Sequence, residues 1–561
     1  MANLFEHLAA RVARIHARGV FRRFERSLSD VQGMQRRALR NAIEMVAGSE
    51  FGRRYGLREI RTAERLRRSV PLLTYEDIRP YVERVAAGET GALFSPGRRV
   101  LMFATSSGTT SAAKLVPVTP EFVREYRRGW NTFGVKLLTD HAAAVLRPIL
   151  QVSGRMDERI SPAGIPCGAI TGLLARTQKG IVRRFYVGRP EIALLADVTA
   201  RYYALMRFAL VRDVAFAVTA NPSTLIRLAQ IADASSEALI RDVRDGTLSQ
   251  EIVGDAAVRE QLHARLRPAP QRARELENLR ERFGQLRPRD YWRIEFVACW
   301  TGGSMGHYLS RLREWYGPVP VRDIGLLASE GRVTIPLEDN TPVGVLDTQA
   351  AFFEFIPADD LASASPRTLL AHELLPQSDY GVVLTNHAGL VRYRLDDVVR
   401  VHGLLHRTPL LEFLYRAGGV SSVAGEKLTE NQVVAAVRAT CERHGIPFLD
   451  FVLAPCWGEP PYYRVSSPEP VSDQLLESFD EALRAQNEEY DSRRKSFRLG
   501  RLQHRLVSAD AMAAMDRRLL TARGSSAEQY KRTYLFSQVG ADDAALQVGQ
   551  SERASVGNPA K

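Results

Sequence analysis

Lysine is nearly missing from this 561-residue chain: only seven occur among 77 basic residues, and arginine supplies the rest. Four cysteines (Cys167, Cys299, Cys441, Cys456) lie far apart, without CxxC or Cys/His spacing. That excludes a legible disulfide framework or zinc site and fits a reducing cytoplasm. No apolar run approaches the roughly 18 residues that cross a bilayer, so no membrane partner is expected. The start, "MANLFEHLAARVARIHARGV", lacks the apolar stretch of a secretory signal. An Arg-rich start also fits a transit peptide, but Leu4, Leu8, Val12 and Ile15 favour an ordinary amphipathic helix.

What is abundant is arginine. The net charge of +13 raises a nucleic-acid-binding reading. Against it, the arginines share helices with acids, as in "RARELENLRERFGQLRPRD", a pattern of solvated faces with neighbouring ion pairs. No RNA-binding aromatic signature or finger spacing appears, and no nucleic-acid partner is expected. A chain that uses arginine for ordinary surface charge gives its few lysines interest, because a compact, mobile ammonium suits tight sites that a guanidinium does not.

Residues 1 to about 95 read as helices and turns. "RRVLMFATSSG" and "AKLVPVT" read as strands flanking a loop, and Thr119 before Pro120 caps the helix that follows. From about 190 to 290 the pattern is helical, with Ser223 as the expected cap of "NPSTLIRLAQIA". "IEFVACWTGG" and "VPVRDIGLLASEG" read as strands ending in small-residue turns, and a β-rich stretch runs to "GLVRYRLDDVVRVHG". Beyond "AGGVSSVAG" the order helix, strand, helix, strand, helix indicates a separate small α/β domain. The expected division is 1–418, 419–537 and a disordered tail at 538–561.

Four stretches carry candidate chemistry. "SSGTTSAAK" offers Ser106, Ser107, Gly108, Thr109, Thr110 and Lys114, small residues and hydroxyls suited to a phosphate. It is not a Walker loop, since the glycine-to-lysine spacing differs and a strand follows. A polar hairpin turn explains it equally well by itself. "TGGSMG" contains Gly302 and Gly303 and follows a strand. "LLASEG" puts Ser329 and Glu330 at a strand end, where a carboxylate can organise a metal ion. "YRLDD" places Asp396 and Asp397 in an expected turn between strands, where an acid can hold a ribose diol. Each stretch taken singly has a bland reading as a turn or a surface acid.

In order and separation, "SSGTTSAAK", "LLASE" and "YRLDD" resemble the three nucleotide motifs SSGTSxGxxK, YxSSE and YRxGD. These belong to the auxin-responsive-promoter family of acyl acid amido synthetases, adenylate-forming enzymes that include the plant jasmonate- and auxin-conjugating proteins and bacterial relatives. The resemblance extends to "TGGSM", "FLYRAGGVSSVAGEKLTE" and "GSSAEQYKRTYL", and spans roughly residues 20 to 537. It implies an α/β fold: a large N-terminal adenylation domain with mixed sheets, a β-barrel-like region and helical insertions, then a small mobile C-terminal domain. It implies ATP and Mg²⁺ as cofactors, with Ser106, Ser107, Gly108, Thr109, Thr110 and Lys114 on the nucleotide. Gly302, Gly303, Ser329 and Arg416 complete that site. Glu330 would organise the metal, Asp397 the ribose, and Lys427 and Lys531 the reaction's charge. The implied partners are a carboxylic acid and an amino acid or small amine, on a monomer. A thioester-forming ligase using coenzyme A is the alternative enzyme. Two positions depart from the motifs: Leu326 replaces a tyrosine, and Asp396 replaces a glycine.

Overall fold

The computed structural model describes residues 17, 19–106, 114–178, 180–302, 308–361, 363, 365–416, 420–447, 449–522 and 533–546. Ser107, Gly108, Thr109, Thr110, Gly303, Lys531 and the expected helix around residues 4–15 lie outside them, as do the side chains of Ser106 and Arg416. Two compact units divide between Tyr415 and Arg416.

Three sheets build the first unit's frame. One is a parallel sheet in the order Ile149–Gln151, Phe216–Val218, Phe296–Ala298, Val321–Arg322. Helices separate its strands in sequence, as parallel crossovers require. In such a sheet, ligands bind beyond the carboxyl ends of the strands. Thr301 and Gly302 follow Phe296–Ala298 there, and Asp323 directly follows Val321–Arg322. A second sheet pairs Met102–Ser106 antiparallel with Lys114–Val118 and parallel with Pro166–Gly168. The third has seven strands, in the order Thr334–Pro336, Gly344–Leu346, Thr408–Arg416, Tyr393–Leu405, Asp379–Thr385, Phe352–Pro357, Leu369–Leu370.

The N-terminal helices pack on this third sheet. In helix Val31–Val46, buried Gln35 donates to the carbonyls of Thr348 and Ala351 and accepts from Phe353 N at 2.8 Å. Further along, Leu73 bridges the sheet's edge: its N–H donates to Arg392 O at 2.9 Å, and its carbonyl accepts from Arg394 N at 2.8 Å. Between those two contacts sits Tyr393.

Arg392 itself is buried. Its Nε and Nη2 reach the Glu354 carboxylate at 2.9 and 3.0 Å, and Nη1 reaches Val70 O at 2.7 Å. Removing one partner of a buried pair leaves the other charge uncompensated. Arg392→Met should therefore lower unfolding free energy by about 3 kcal/mol, seen as a reduced denaturation midpoint. A loss below about 0.5 kcal/mol would show that Arg67, 3.1 Å from Glu354, suffices alone.

Thr119 caps helix Pro120–Asp140 as expected, accepting from Phe122 N. The cap of helix Pro222–Ala234 is Asn221 rather than Ser223: its side chain accepts from Ser223 N, and Pro222 takes the first helical position, where no N–H is needed. Within helix Pro270–Phe283 the expected neighbouring ion pair is Arg272 with Glu275; Glu277 and Arg280 pair instead with Arg244 and Glu237 of helix Ser236–Asp245.

In the second unit, Val452–Cys456 pairs antiparallel with Tyr462–Ser467, which pairs parallel with Gln503–Leu506. Helices Glu430–His444 and Asp473–Gln486 cover a core that includes Val437, Phe451, Leu453, Tyr463 and Leu483. The strand Tyr462–Ser467 escaped the sequence pattern because prolines flank it closely. The expected long helix breaks at Asn487, which caps a second helix, Glu488–Lys495. The segment expected to be a disordered tail needs correction as far as Leu546. Residues Ala541–Leu546 form a helix. Fully buried Asp542 anchors it, pairing with Arg464 at 2.7 Å and Arg505 at 2.8 Å.

Candidate active site

The site grows from the ends of the strands in the first unit. Ser106 pairs in register with Lys114, closing the base of the first hairpin. Lys114 is buried, its ammonium 5.4 Å from the Tyr75 ring centroid. The Tyr75 hydroxyl accepts from Leu115 N at 2.8 Å. A cation near an aromatic face is attracted by the negative π surface of the ring.

Ser329 and Glu330 are the two turn residues of a tight hairpin between Leu327–Ala328 and Gly331–Arg332. Its tip is tied down from three directions. Ser329 Oγ donates to Thr105 O at 3.2 Å, joining the tip to the strand that leads into the first loop. Asn386 Nδ2 donates to Glu330 O at 2.6 Å, and the Tyr393 hydroxyl donates to Glu330 Oε1 at 3.3 Å. Glu330 is buried. A buried carboxylate at a strand end, with a neutral donor on one oxygen, could hold a cation.

The turn at Gly302 is fixed by Asp323. One carboxylate oxygen of Asp323 accepts from Thr301 N at 2.6 Å and Thr301 Oγ1 at 2.7 Å; the other accepts from Gly325 N at 2.6 Å. Burial pushes the Asp323 carboxyl up to about 6, and its hydrogen bonds oppose that rise. Asp323 thus ties the glycine turn to the strand that leads toward Glu330. Beside Gly302 lie Trp300 and Phe413, ring centroids 5.3 Å apart. Leu326 is buried in the main core, so the first position of its motif presents no aromatic face.

Asp396 and Asp397 do not form a turn between strands. They sit inside the long strand Tyr393–Leu405, at an irregularity where Gly381 faces Val398 and Val383 faces Arg394. The extra residues bulge, and Asp396 takes φ +61°. Asp397 is buried, while Asp396 lies 3.4 Å from Arg394 Nε. The motif's usual glycine now has a physical reason: this backbone is left-handed, where glycine is at ease and aspartate is tolerated at a cost. Asp396→Gly should raise unfolding free energy by about 0.5 kcal/mol in denaturant melts. A loss of stability would mean that the Arg394 contact outweighs backbone strain.

In the second unit, Lys427 has φ +48°. Its carbonyl accepts from Asn487 Nδ2 at 3.3 Å, and its ammonium is 3.8 Å from Glu489. Next to it, buried Glu426 accepts from the N–H groups of Val423 and Ala424, both at 2.7 Å, and from the Tyr463 hydroxyl. Burial pushes the Glu426 carboxyl up. Strain of this kind gathers where surroundings over-determine a backbone, frequently at functional positions.

The structure therefore brings together the strand end at Ser106, Ser329, Glu330 and the start of the strand that carries Asp397. Sequence reasoning missed Tyr393, Asn386 and Asp323. Tyr393 opens the "YRLDD" stretch and was within reach; Asn386 and Asp323 stand in no local pattern.

Similarity to known proteins covers most of the chain. The GH3 family N-terminal domain matches residues 20–321, the GH3 family central domain 344–416, and the GH3 family C-terminal domain 431–538. A protein of Oryza sativa subsp. japonica named probable indole-3-acetic acid-amido synthetase GH3.12 is 27% identical, over 91% of this chain and 92% of its own. The jasmonoyl-L-amino acid synthetase JAR4 of Nicotiana attenuata is 24% identical over 75% of this chain and 76% of its own. Among solved structures, the AtGH3.15 acyl acid amido synthetase in complex with 2,4-DB has the same fold. Its TM-score is 0.65 at 21% identity, covering 95% of this chain and 96% of that one. With domain matches running from residue 20 to 538, the chain belongs to the GH3 family.

Proposed function

We infer that this protein is an ATP-dependent acyl acid amido synthetase. A carboxylate oxygen of the acid attacks the α-phosphorus of ATP as the bond to pyrophosphate breaks, giving an acyl-adenylate. The nitrogen of an amino acid then attacks the acyl carbon, the bond to AMP breaks, and the amine loses a proton. The observation that supports this reading most is the joining of three motif-like stretches at one hairpin tip, through Thr105, Glu330 and Tyr393.

Roles follow from chemistry. Two anions must meet in the first step, so fixed positive charge aimed at the phosphates lowers its barrier. Lys114 would supply such charge in the first unit, Ser106 to Thr110 offer amides and hydroxyls, and Arg416 and Lys427 are the basic residues that the family resemblance assigns to the same chemistry. Asp397 would hold the ribose, and Trp300 and Phe413 offer aromatic surface for a flat base. Among the described residues no cluster of three or more His, Cys, Asp or Glu side chains could hold a metal by itself. That fits Mg²⁺, which usually takes one or two carboxylates and completes its shell with water and phosphate oxygens. Glu330 would be a carboxylate for it; bound there, the ion would offset phosphate charge.

No helix among the described residues is long and apolar enough to cross a membrane. We place the enzyme in the cytoplasm, as a monomer using small-molecule partners. The test is pyrophosphate exchange into ATP with Mg²⁺ and a panel of carboxylic acids. Exchange that depends on one class of acid supports the reading, and exchange with none across a broad panel opposes it.

A further inference from the structure

Three consecutive residues, Leu73 to Tyr75, tie together two sheets that both carry candidate site residues. At one end Leu73 lies in a parallel bridge with Tyr393, its N–H bonded to Arg392 O and its carbonyl to Arg394 N. At the other, buried Tyr75 reaches the strand Lys114–Val118, the edge strand of its four-stranded sheet. An edge strand presents backbone groups that no neighbouring strand pairs. At Leu115 the Tyr75 hydroxyl does what such a strand would do: it accepts from Leu115 N at 2.8 Å and donates to Leu115 O at 3.4 Å. Its ring centroid lies 5.4 Å from Lys114 Nζ. One side chain thus meets the strand with its hydroxyl and the ammonium with its ring.

Tyr75 is itself held. It opens helix Tyr75–Ala86, whose N-cap Thr74 is pinned by Asp77: Oδ2 accepts from Thr74 N at 2.8 Å and from Thr74 Oγ1 at 2.7 Å. One turn along the helix, the Arg79 guanidinium carbon lies 5.4 Å from the same ring centroid. In the other direction, Leu73 leads to Tyr393, whose hydroxyl meets Glu330 Oε1. Lys114 and Glu330 are therefore linked through Tyr75, Leu73 and Tyr393, by a route of covalent bonds, hydrogen bonds and one ring contact.

We propose that Tyr75 is a positioning residue for the adenylation step, holding Lys114 in a constant place relative to Glu330. The proposal rests on the amido synthetase reading, in which Lys114 supplies charge where two anions meet. Such charge is most effective when it is fixed beforehand and need not reorganise as the reaction proceeds. A lysine stem is flexible by nature. The Tyr75 hydroxyl fixes the backbone next to Lys114, and the ring restrains the ammonium at the far end of that stem. A misplacement of about 1 Å can slow a reaction by as much as two orders of magnitude, so the restraint has kinetic weight.

The test is a double-mutant cycle in pyrophosphate exchange, with Mg-ATP and an acid that supports exchange. Tyr75→Phe keeps the ring and removes the hydroxyl; kcat should fall about tenfold, with the KM for the acid little changed. Lys114→Met should lower kcat by about two orders of magnitude. Adding Tyr75→Phe to Lys114→Met should then cost less than about twofold, because a residue that acts through Lys114 has nothing left to position. Lys114→Gln serves the same cycle if Lys114→Met fails to fold. Equal losses from Tyr75→Phe in both backgrounds, or no loss in either, would overturn the positioning role and leave the amido synthetase reading intact. An unaltered rate in the Lys114 variant would overturn it too, since there would be no charge to position. A wild-type protein inactive with every acid would defeat the amido synthetase reading and the positioning role with it.

Discussion

Glu330→Gln should cut acid-dependent pyrophosphate exchange by at least about two orders of magnitude, corresponding to roughly 3 kcal/mol of lost transition-state stabilisation. The melting temperature should barely move. Glutamine keeps the shape of the side chain and an oxygen for the Tyr393 hydroxyl, and the backbone bond from Asn386 is untouched. What disappears is the negative charge, to which no salt bridge is made among the described residues. Asp397→Asn should behave alike in exchange, with the loss expressed more in the KM for ATP, because a ribose contact persists from ground state to transition state. Full exchange in both variants would remove the nucleotide assignment. A collapse of melting temperature in both would recast the two acids as structural.

The second large effect concerns the lysines of the smaller unit. Lys427→Ala and Lys531→Ala should each cripple one half-reaction by about two orders of magnitude and spare the other to within about tenfold, in opposite senses. For Lys427 the motive is structural. A non-glycine residue at φ +48° is costly, and Asn487 and the Glu426 network hold it there. That expense is reasonable if the ammonium must be delivered in one orientation. Adenylation is read by pyrophosphate exchange, and aminolysis by AMP release from a pre-formed acyl-adenylate. Equal losses in both assays for both variants would argue that the two lysines serve a common structural purpose.

Much of this architecture could be read from the residues, and the exceptions have physical causes. The hairpin around Glu330 and the turn at Gly302 announce themselves because small residues follow strongly apolar runs. The separate C-terminal α/β unit is visible in its alternating periods. Tyr462–Ser467 was hidden because a strand of six residues between prolines looks like loop. The bulge at Asp396 was hidden because a paired acid reads as a turn, and only sheet register reveals that the strand continues. Asp323 and Asn386 were beyond reach for a different reason. Their meaning lies in contacts with distant segments, and nothing local distinguishes a buried polar residue with such a task from an exposed one. The lysine clue had mixed value. Lys114 does occupy a special place, but its visible contact is with Tyr75, which gives it a packing role whatever it does toward phosphate.

The central claim is that an amino acid accepts the activated acyl group, and one experiment addresses it most directly. The protein would be incubated with Mg-ATP and an acid that supports exchange, then supplied in parallel with mixed amino acids or with coenzyme A. Products would be identified by mass spectrometry and AMP release followed in each. An amide appearing with stoichiometric AMP only when amino acids are present is the predicted result. A coenzyme A thioester formed with AMP release, and no amide with any amino acid, would contradict it and make the protein a thioester-forming ligase on a GH3 fold.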